Sequence, residues 1–191
     1  MAILNPCHAR PMRSRIVTAL AATWLFASGP ALPAATLEYQ VKATYLFNFA
    51  HYVEWPATAF ADAQAPFVIG VLGDDPFDTA LDEAVRGEKV NNRSLVVRRF
   101  KRGEDVGDCQ ILFISRSETS ALERIFASLK GRSTLAVGDI DKFAERGGMI
   151  RFVTENNKVR LRINLEAAKS AHLTISSKLL RAAEIIARGK E

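Results

Sequence analysis

Short continuous apolar runs alternate along the chain with segments whose apolar residues recur every three to four positions. A continuous apolar run is typical of a strand that is buried on both faces, and the longer repeat is typical of a helix that packs by one face. Within 38–54, Val41, Tyr45, Phe49 and Val53 recur at four-residue spacing, so we expect them to stack on one helix face. The predicted strands are 66–72, 93–100, 109–115 and 133–138, and the predicted helices are 38–54, 76–86, 117–129, 165–171 and 176–188, with at most a short helix at 141–145.

Two further runs, 148–153 and 158–164, are predicted to form an antiparallel hairpin, because the polar residues 154–157 between them tolerate turn geometry. In the second run Val159, Leu161 and Ile163 alternate with basic residues, which is the pattern of a half-exposed strand. Strands that alternate with helices predict an α/β fold. We expect a three-layer sandwich with a mostly parallel central sheet and an antiparallel hairpin at one side.

The first 35 residues have the pattern of a secretory signal peptide. Arg10, Arg13 and Arg15 precede an apolar run at 16–27, and small residues and prolines follow at 29–35. The apolar run is shorter than the roughly 20 residues that span a bilayer. We therefore predict a signal peptide at 1–35, a single domain at 36–191, export to the periplasm and no stable membrane insertion of the mature chain. Cleavage after Ala31 or Ala34, and an uncleaved anchor, remain alternatives.

Charge and cysteine content narrow the possible functions. The formal net charge of +5 includes the three arginines of the leader and falls to +2 without them, which gives no reason to expect nucleic-acid binding. Cys7 lies in the leader, so Cys109 is left alone and the mature domain has no internal disulfide. Cys109 opens an apolar run and is interpreted as a buried, inert thiol, with an intermolecular bridge or a redox role as alternatives.

The sequence lacks the local motifs of common catalytic sites. It contains no nucleophile elbow, no zinc-protease helix motif and no phosphate-binding P-loop. His51 and His172 are far apart in sequence, and neither has a second ligand type at metal-binding spacing. We therefore predict a protein that is not an enzyme and holds no cofactor or metal.

The best local candidate for a ligand site is the loop that follows strand 66–72. Gly73, Asp74, Asp75 and Pro76 connect this strand to a helix, and open α/β sheets bind ligands at such strand ends. A helix N-terminus favours an anion, although two adjacent aspartates oppose one. An ordinary turn in which Asp75 caps the helix is the alternative. The ligand candidates are Asp74, Asp75, Arg116, Arg160 and Arg162.

The basic run at 98–102, together with Arg151, Arg160 and Arg162, is a second candidate surface. It could receive an anionic ligand or a membrane headgroup. A solvated face is the alternative, and on an edge strand such charges also block unwanted strand pairing.

Five collinear segments resemble the YfiR family. They are Val41-Lys-Ala-Thr-Tyr-Leu-Phe-Asn-Phe-Ala-His-Tyr-Val-Glu-Trp-Pro56; Val68-Ile-Gly-Val-Leu-Gly-Asp-Asp-Pro-Phe77; Ile111-Leu-Phe-Ile-Ser115; Val137-Gly-Asp139 with Phe143-Ala-Glu-Arg-Gly-Gly-Met-Ile150; and Asn157-Lys-Val-Arg with Ile163-Asn-Leu-Glu-Ala-Ala168 and Ser176-Ser-Lys-Leu-Leu180. The resemblance covers about residues 38–187. It implies a periplasmic α/β protein that binds the sensor domain of an inner-membrane diguanylate cyclase and holds it inactive, which limits cyclic-di-GMP and biofilm growth.

The resemblance leaves the partner open. It implies an inner-membrane signalling protein, either a diguanylate cyclase or a histidine kinase, and a homodimer is also open. A periplasmic small-ligand receptor that feeds a membrane histidine kinase or another sensor is the alternative function. Some family members carry disulfides that support a redox response, a feature that a single mature cysteine does not match.

The C-terminal region is the predicted partner surface. A protein that represses by contact needs exposed apolar groups ringed by polar ones. The helix 165–171 is short, and the stretch after it has little room to bury both Leu173 and Ile175. Phe152 on the hairpin and Glu166 as a rim charge complete the candidate set. The alternative is that Leu173 and Ile175 belong to the core.

Overall fold

The computed structural model of the protein describes residues 34–186 and is built around one eight-stranded sheet. The strand order across the sheet is β10-β8-β7-β6-β5-β2-β4-β3. The five strands from β4 to β7 in this order are parallel to one another, β8 is antiparallel to β7, and β10 is parallel to β8. The strands are β2 Phe67–Leu72, β3 Lys89–Val90, β4 Arg93–Phe100, β5 Ile111–Ile114, β6 Leu135–Gly138, β7 Ile150–Glu155, β8 Lys158–Asn164 and β10 Glu184–Ile186.

Helices cover both faces of this sheet. The helices are α1 Ala34–Tyr52, α2 Ala80–Val85, α3 Leu122–Leu129, α4 Leu165–Ser170 and α5 Ser177–Arg181, and short 3-10 turns lie at Ala57–Ala59 and Arg116–Ala121. Phe49 of α1 stacks on Phe152 of β7 at 5.9 Å between ring centroids. On the α3 side, Leu129 lines a cleft together with Ala136 of β6. Because Phe152 and Ala136 point to opposite faces, the predicted three-layer α/β sandwich is confirmed.

The face that α1 buries differs from the predicted one. The side chains of Lys42, Leu46 and Phe49 are fully buried, whereas Val41 is 39% exposed. The helix also ends at Tyr52, because Val53–Glu54 form a short strand, β1, that pairs with Thr174–Ile175, β9, in a separate antiparallel sheet. This small sheet ties the end of α1 to the C-terminal region.

The predicted C-terminal helix 176–188 is wrong over most of its length. Helix α5 ends at Arg181, and β10 then pairs in parallel with β8. The β8 edge gives these backbone groups strand partners that outweigh the helical pattern, and Arg162 holds Glu184 of β10 at 2.9 Å. Arg188 and Gly189 lie outside the described residues.

Two shorter helix predictions also change. Helix α2 begins at Ala80 rather than at 76, because the carboxylate of Asp75 accepts a hydrogen bond from the amide of Phe77 at 2.8 Å and holds a local turn there. Residues 141–145 form turns rather than a helix.

Asn164 joins the hairpin to α4 and is fully buried. Its side-chain oxygen caps α4 by accepting from the amide of Ala167 at 3.0 Å, and its side-chain nitrogen donates to the carbonyl of Ala144 at 2.9 Å. The side chain of Asn164 therefore provides hydrogen-bond partners for two backbone groups, the amide of Ala167 and the carbonyl of Ala144.

We predict that Asn164→Ala lowers the free energy of unfolding by about 2–3 kcal/mol, since it removes a helix cap and leaves a buried carbonyl without a donor. Asn164→Asp keeps the capping acceptor and loses the donor, so the cap is retained but a carboxylate faces the carbonyl of Ala144. Urea unfolding of both variants measures the two roles. An Asn164→Ala protein as stable as the wild type would contradict this assignment.

Candidate functional site

A buried ion pair joins α1 to the carboxyl end of β6. The Nζ atom of Lys42 lies 2.6 Å from Oδ2 of Asp139, and each side chain is only 1% exposed. Asp139 directly follows Gly138, the last residue of β6. The pair therefore sits where the parallel strands end, at the edge of the sheet where α/β proteins bind ligands.

Three further polar side chains surround this ion pair. The hydroxyl of Tyr39 donates to Oδ2 of Asp139 at 2.9 Å, and Nε of Arg116 lies 3.2 Å from Oδ1. Glu38 pairs with Lys42 one helical turn earlier. We name Glu38, Tyr39, Lys42, Arg116 and Asp139 the helix-anchor cluster.

The electrostatics of the helix-anchor cluster follow from its packing. Burial raises the pKa of Tyr39, and the negative charge and hydrogen bond of Asp139 raise it further. Burial alone would lower the pKa of Arg116, but the neighbouring groups Asp139, Tyr39 and Glu38 together outweigh it, so the pKa is raised. Burial likewise opposes the ionised form of Glu38, yet the hydrogen bond and charge of Lys42 leave its pKa below the ordinary value.

Close packing behind the sheet end positions Asp139. A Cβ atom on Gly138 would lie 2.8 Å from the Phe143 ring, and one on Gly148 would lie 2.1 Å from it. Only glycine fits at these two places, so the ring fills the space beneath the 138–148 loop. The loop can then hold Asp139 against α1.

The charges of the helix-anchor cluster are paired with one another, but the buried Oδ1 atom of Asp139 has only the ion pair with Arg116 and accepts no hydrogen bond from the described residues. The two cations of the cluster face its two carboxylates, and the tyrosine hydroxyl donates to one of these acids. It has no nucleophile beside a base, and no group of His, Cys, Asp and Glu within the described residues is arranged to hold a metal. The arrangement fixes α1 against the carboxyl end of β6.

The predicted ligand residues are not brought together. Arg160 and Arg162 lie on β8, four places from β2 in the sheet, whereas Asp74 and Asp75 follow β2. Arg162 pairs with Glu155 and Glu184. Arg160 is exposed to solvent.

The residues of the loop after β2 are also engaged within the protein. Asp75 pairs with Arg99 at 2.6 Å, and Arg99 pairs with Asp82 of α2 as well. The hydrogen bond from Arg99 lowers the pKa of Asp82. Asp74 is exposed, and its amide donates to the hydroxyl of Ser117 at 3.0 Å, next to Arg116. A ligand role for this loop stays a prediction.

Three of the four partner-contact candidates are buried. Phe152 and Leu173 are 2% exposed and Ile175 is 6% exposed, so the expectation that they offer an apolar surface is wrong. The pairing of β9 with β1, which the sequence did not predict, allows Ile175 to be buried opposite Val53. Glu166 is exposed, as a rim charge requires.

Glu166 lies on the rim of a cleft between α3 and α4. The cleft has a volume of about 550 Å³. Phe126 and Leu129 of α3 line it together with Ala136 and Met149 from the sheet side, so its surface is mainly apolar. We name it the α3–α4 cleft. The small side chains of Ala127 and Ala167 on the two helices leave it open to solvent.

Charged groups ring the α3–α4 cleft. Glu123 pairs with Arg146 at 2.7 Å, and Glu166 pairs with Lys169 at 3.0 Å. The hydrogen bond from Arg146 lowers the pKa of Glu123. An apolar floor with a polar rim is the anatomy of a protein-docking surface.

Two features of the site, the buried pair of Lys42 with Asp139 and the α3–α4 cleft, were not predicted from the sequence. Lys42 precedes Leu46 and Phe49 on the buried stripe of α1, and a lysine within an apolar stripe signals a buried partner. Asp139, an acidic residue directly after the predicted strand 133–138, was the corresponding signal for the partner of this lysine. The cleft had no comparable signal, since it arises from where two helices lie on the sheet.

The described residues form an α/β domain with an apolar, charge-ringed cleft on one face of its sheet. The chain belongs to the YfiR/HmsC-like family, whose model matches residues 39–184. This is a family of regulatory proteins that act with a membrane signalling partner. No curated protein matches the chain. Within the described residues, no helix is both long and apolar enough to cross a bilayer.

We predict that Lys42→Met destabilises the protein by about 3–5 kcal/mol, because it leaves Asp139 charged and buried without its main partner. The double variant Lys42→Met/Asp139→Leu removes both charges and should recover a large part of that loss. Denaturant unfolding of the two single variants and the double variant gives the coupling energy. Additive losses would contradict a direct buried pair.

Cys109 confirms the expectation of a buried thiol. It is 2% exposed, and its sulfur would lie 3.4 Å from a Cβ atom on Gly70. Burial raises the pKa of the thiol to about 12 from 9.0. The folded state therefore resists both ionisation and reagent access.

We predict that thiol reagents label Cys109 slowly in the native protein and rapidly in denaturant. Because the folded pKa is raised, this residue stabilises the fold below about pH 9 and loses that contribution between pH 9 and about 12. Stability should therefore fall more steeply over this range in the wild type than in Cys109→Ala. Rapid native labelling, or identical pH profiles, would overturn the assignment.

Proposed function

We propose that the chain is a periplasmic regulator that holds an inner-membrane signalling protein inactive by direct contact. The observation that carries the proposal is the α3–α4 cleft, an apolar, charge-ringed surface in a member of a regulatory family. The partner proposed is a diguanylate cyclase, bound through its periplasmic sensor domain. Export is supported by the signal-peptide pattern at residues 1–35.

The cleft is proposed to receive an apolar segment of the sensor domain. Phe126 is half-buried and offers the partner an aromatic contact, whereas Leu129 and Met149 are buried and form the apolar floor of the cleft. The exposed carboxylate of Glu166 can pair with a basic group at the edge of that segment once it leaves Lys169. Few buried anchors supply most of the energy at such interfaces, and the charged rim supplies specificity.

The alternative of a small-ligand receptor has less support. Its loop residue Asp75 pairs with Arg99, and Arg116 pairs with Asp139, so these charges already have internal partners. A ligand that uses Asp75 or Arg116 must therefore compete with these internal ion pairs. Binding of a partner at the α3–α4 cleft requires only that the exposed Glu166 exchange its ion pair with Lys169 for one with the partner.

Deletion of the gene in its own host tests the function directly. We expect cellular cyclic-di-GMP to rise several-fold and to return to its original level when the gene is restored. A tagged copy should enrich a membrane protein with a cyclase domain from detergent-solubilised inner membranes. Unchanged cyclic-di-GMP with enrichment of a histidine kinase would favour the second partner class.

We predict that Ala127→Arg weakens partner binding by about 1–3 kcal/mol, because the exposed alanine lines the cleft and the larger side chain blocks it. Glu166→Lys should act in the same direction by reversing a rim charge. Quantitative pull-down with the wild-type partner measures both effects.

Glu83→Lys is the matched control, since it makes the same charge change on an exposed position of α2. It should leave binding unchanged. Thermal melting should show that all three variants fold. Leu173→Asp is unsuitable as an interface probe, because that buried side chain is expected to unfold the protein. Full binding by folded Ala127→Arg and Glu166→Lys proteins would place the docking surface elsewhere.

A further inference from the structure

The outer edge of β4 is open over its second half. On one side β4 pairs with β2 along Leu95–Phe100, but on the other side β3 pairs only with Arg93 and Ser94. Beyond that point the amide of Leu95 donates to the carbonyl of Glu88 at 3.1 Å. From Val96 onward, β4 has no further strand beside it within the described part of the chain.

The direction of the free backbone groups follows from the hydrogen bonds on each side. The carbonyl of Phe100 accepts from the amide of Gly73 and so points towards β2, whereas the amide of Leu95 points outward. Backbone groups of successive residues alternate in direction along a strand. Val97 and Arg99 therefore present their amides and carbonyls outward, and neither has a hydrogen-bond partner for them in residues 34–186.

The side chains beside this edge are strongly basic on one face. Lys89 pairs across from Ser94, which shares a face with Arg98, and four residues of strand place Arg98 about 13 Å further along. Lys89 and Arg98 on this face, and Lys101 just beyond the end of β4, are exposed and have no ion-pair partner in the described residues. The acids in the same stretch are Glu88 and Glu104, and Glu104 already accepts from the amide of Lys101 at 2.8 Å.

The other face of the edge has a different character. Val97 is half-buried and packs against the core. Its neighbour Arg99 is held by Asp75 and Asp82, so it is not available to an incoming chain. The Arg98 face also carries Val96 and Phe100, which pack against the core. A strand added here would therefore meet the free cations Lys89 and Arg98 on one face, and Val97 beside the salt-bridged Arg99 on the other.

We propose that the Val96–Phe100 edge is a β-augmentation site for an extended acidic segment of another protein. Backbone pairing with Val97 and Arg99 supplies the attachment, and acidic side chains opposite Lys89 and Arg98 supply the selection. The matching segment alternates acidic and apolar residues. The site is independent of the α3–α4 cleft and of the function proposed for it.

A second copy of the chain is disfavoured as the occupant. Two such edges would bring Arg98 and Lys89 of one copy near the same cations of the other, and like charges across a strand pair are destabilising. Basic residues on an edge strand block pairing between neutral or basic strands. An acidic strand removes that obstacle.

Amide hydrogen exchange on the full exported chain tests the proposal. The probe is a short capped peptide in which glutamate and valine alternate, and the control peptide carries lysine in place of each glutamate. We expect the acidic peptide to slow exchange of the Val97 and Arg99 amides by about tenfold or more at saturation. The lysine peptide should have no effect.

Two matched changes separate backbone pairing from charge attraction. Val97→Pro removes only an outward amide and should abolish binding of the acidic peptide, whereas Val97→Thr keeps the amide and should retain binding. If Val97→Pro fails to fold, the peptide itself provides the test. N-methylation of the residues that face β4 should abolish protection, and N-methylation of the alternate residues should preserve it.

Several results would overturn the proposal. These are no protection by the acidic peptide, equal protection by the lysine peptide, and binding that survives both Val97→Pro and N-methylation. Protection of Val97 and Arg99 that rises with protein concentration alone would instead assign the edge to self-association.

Discussion

The buried contact between Lys42 and Asp139 is the constraint on which the arrangement of α1 depends. Removing two charges from water costs several kcal/mol for each ion, and their attraction offsets that cost only when the geometry is good and the remaining atoms have partners. Here the hydroxyl of Tyr39 donates to Oδ2 of Asp139, whereas Oδ1 has the ion pair with Arg116 but no hydrogen bond. The network contributes less to net stability than to a fixed position, because any shift of α1 along the sheet would leave buried charges unpaired.

The two ends of α1 are fixed by different means. In its first half the helix-anchor cluster holds it to the end of β6, and directly after its last residue β1 pairs with β9. Between these points the Phe49 and Phe152 rings stack. This face of the sheet is therefore closely packed, whereas the shorter helices α3 and α4 on the opposite face leave an open cleft between them. A surface for a partner arises where the helical layer is incomplete.

Local pattern predicted most of the fold but little of the candidate site. The apolar runs of β2 and β5 and the alternation of β8 are strong signals, because burial decides which residues such strands can carry. The helix prediction for 176–188 was wrong because the edge of β8, with which β10 pairs, is a tertiary feature that a helical repeat in the sequence cannot reveal. The expected exposure of Leu173 and Ile175 was wrong for a related reason. Their burial depends on the pairing of β9 with β1, which comes from the other end of the domain sequence. Glu166 was identified correctly as an exposed charge, but the cleft beside it depends on the spacing of two helices that only the three-dimensional structure defines.

The two edges of the main sheet differ in how far a neighbouring strand covers them, and this difference bears on function. At one edge the short strand β10 covers β8, and Arg162 links the two strands through Glu184. At the other edge β3 covers only the beginning of β4. An uncovered edge invites pairing with other chains unless charge prevents it. The cations beside Val97 exclude neutral and basic strands and leave acidic strands as the compatible class. A domain that has no covering strand here therefore needs charge to select what may bind, and the exposed Arg98, next to the salt-bridged Arg99, provides that selection without weakening the pairing of β4 with β2.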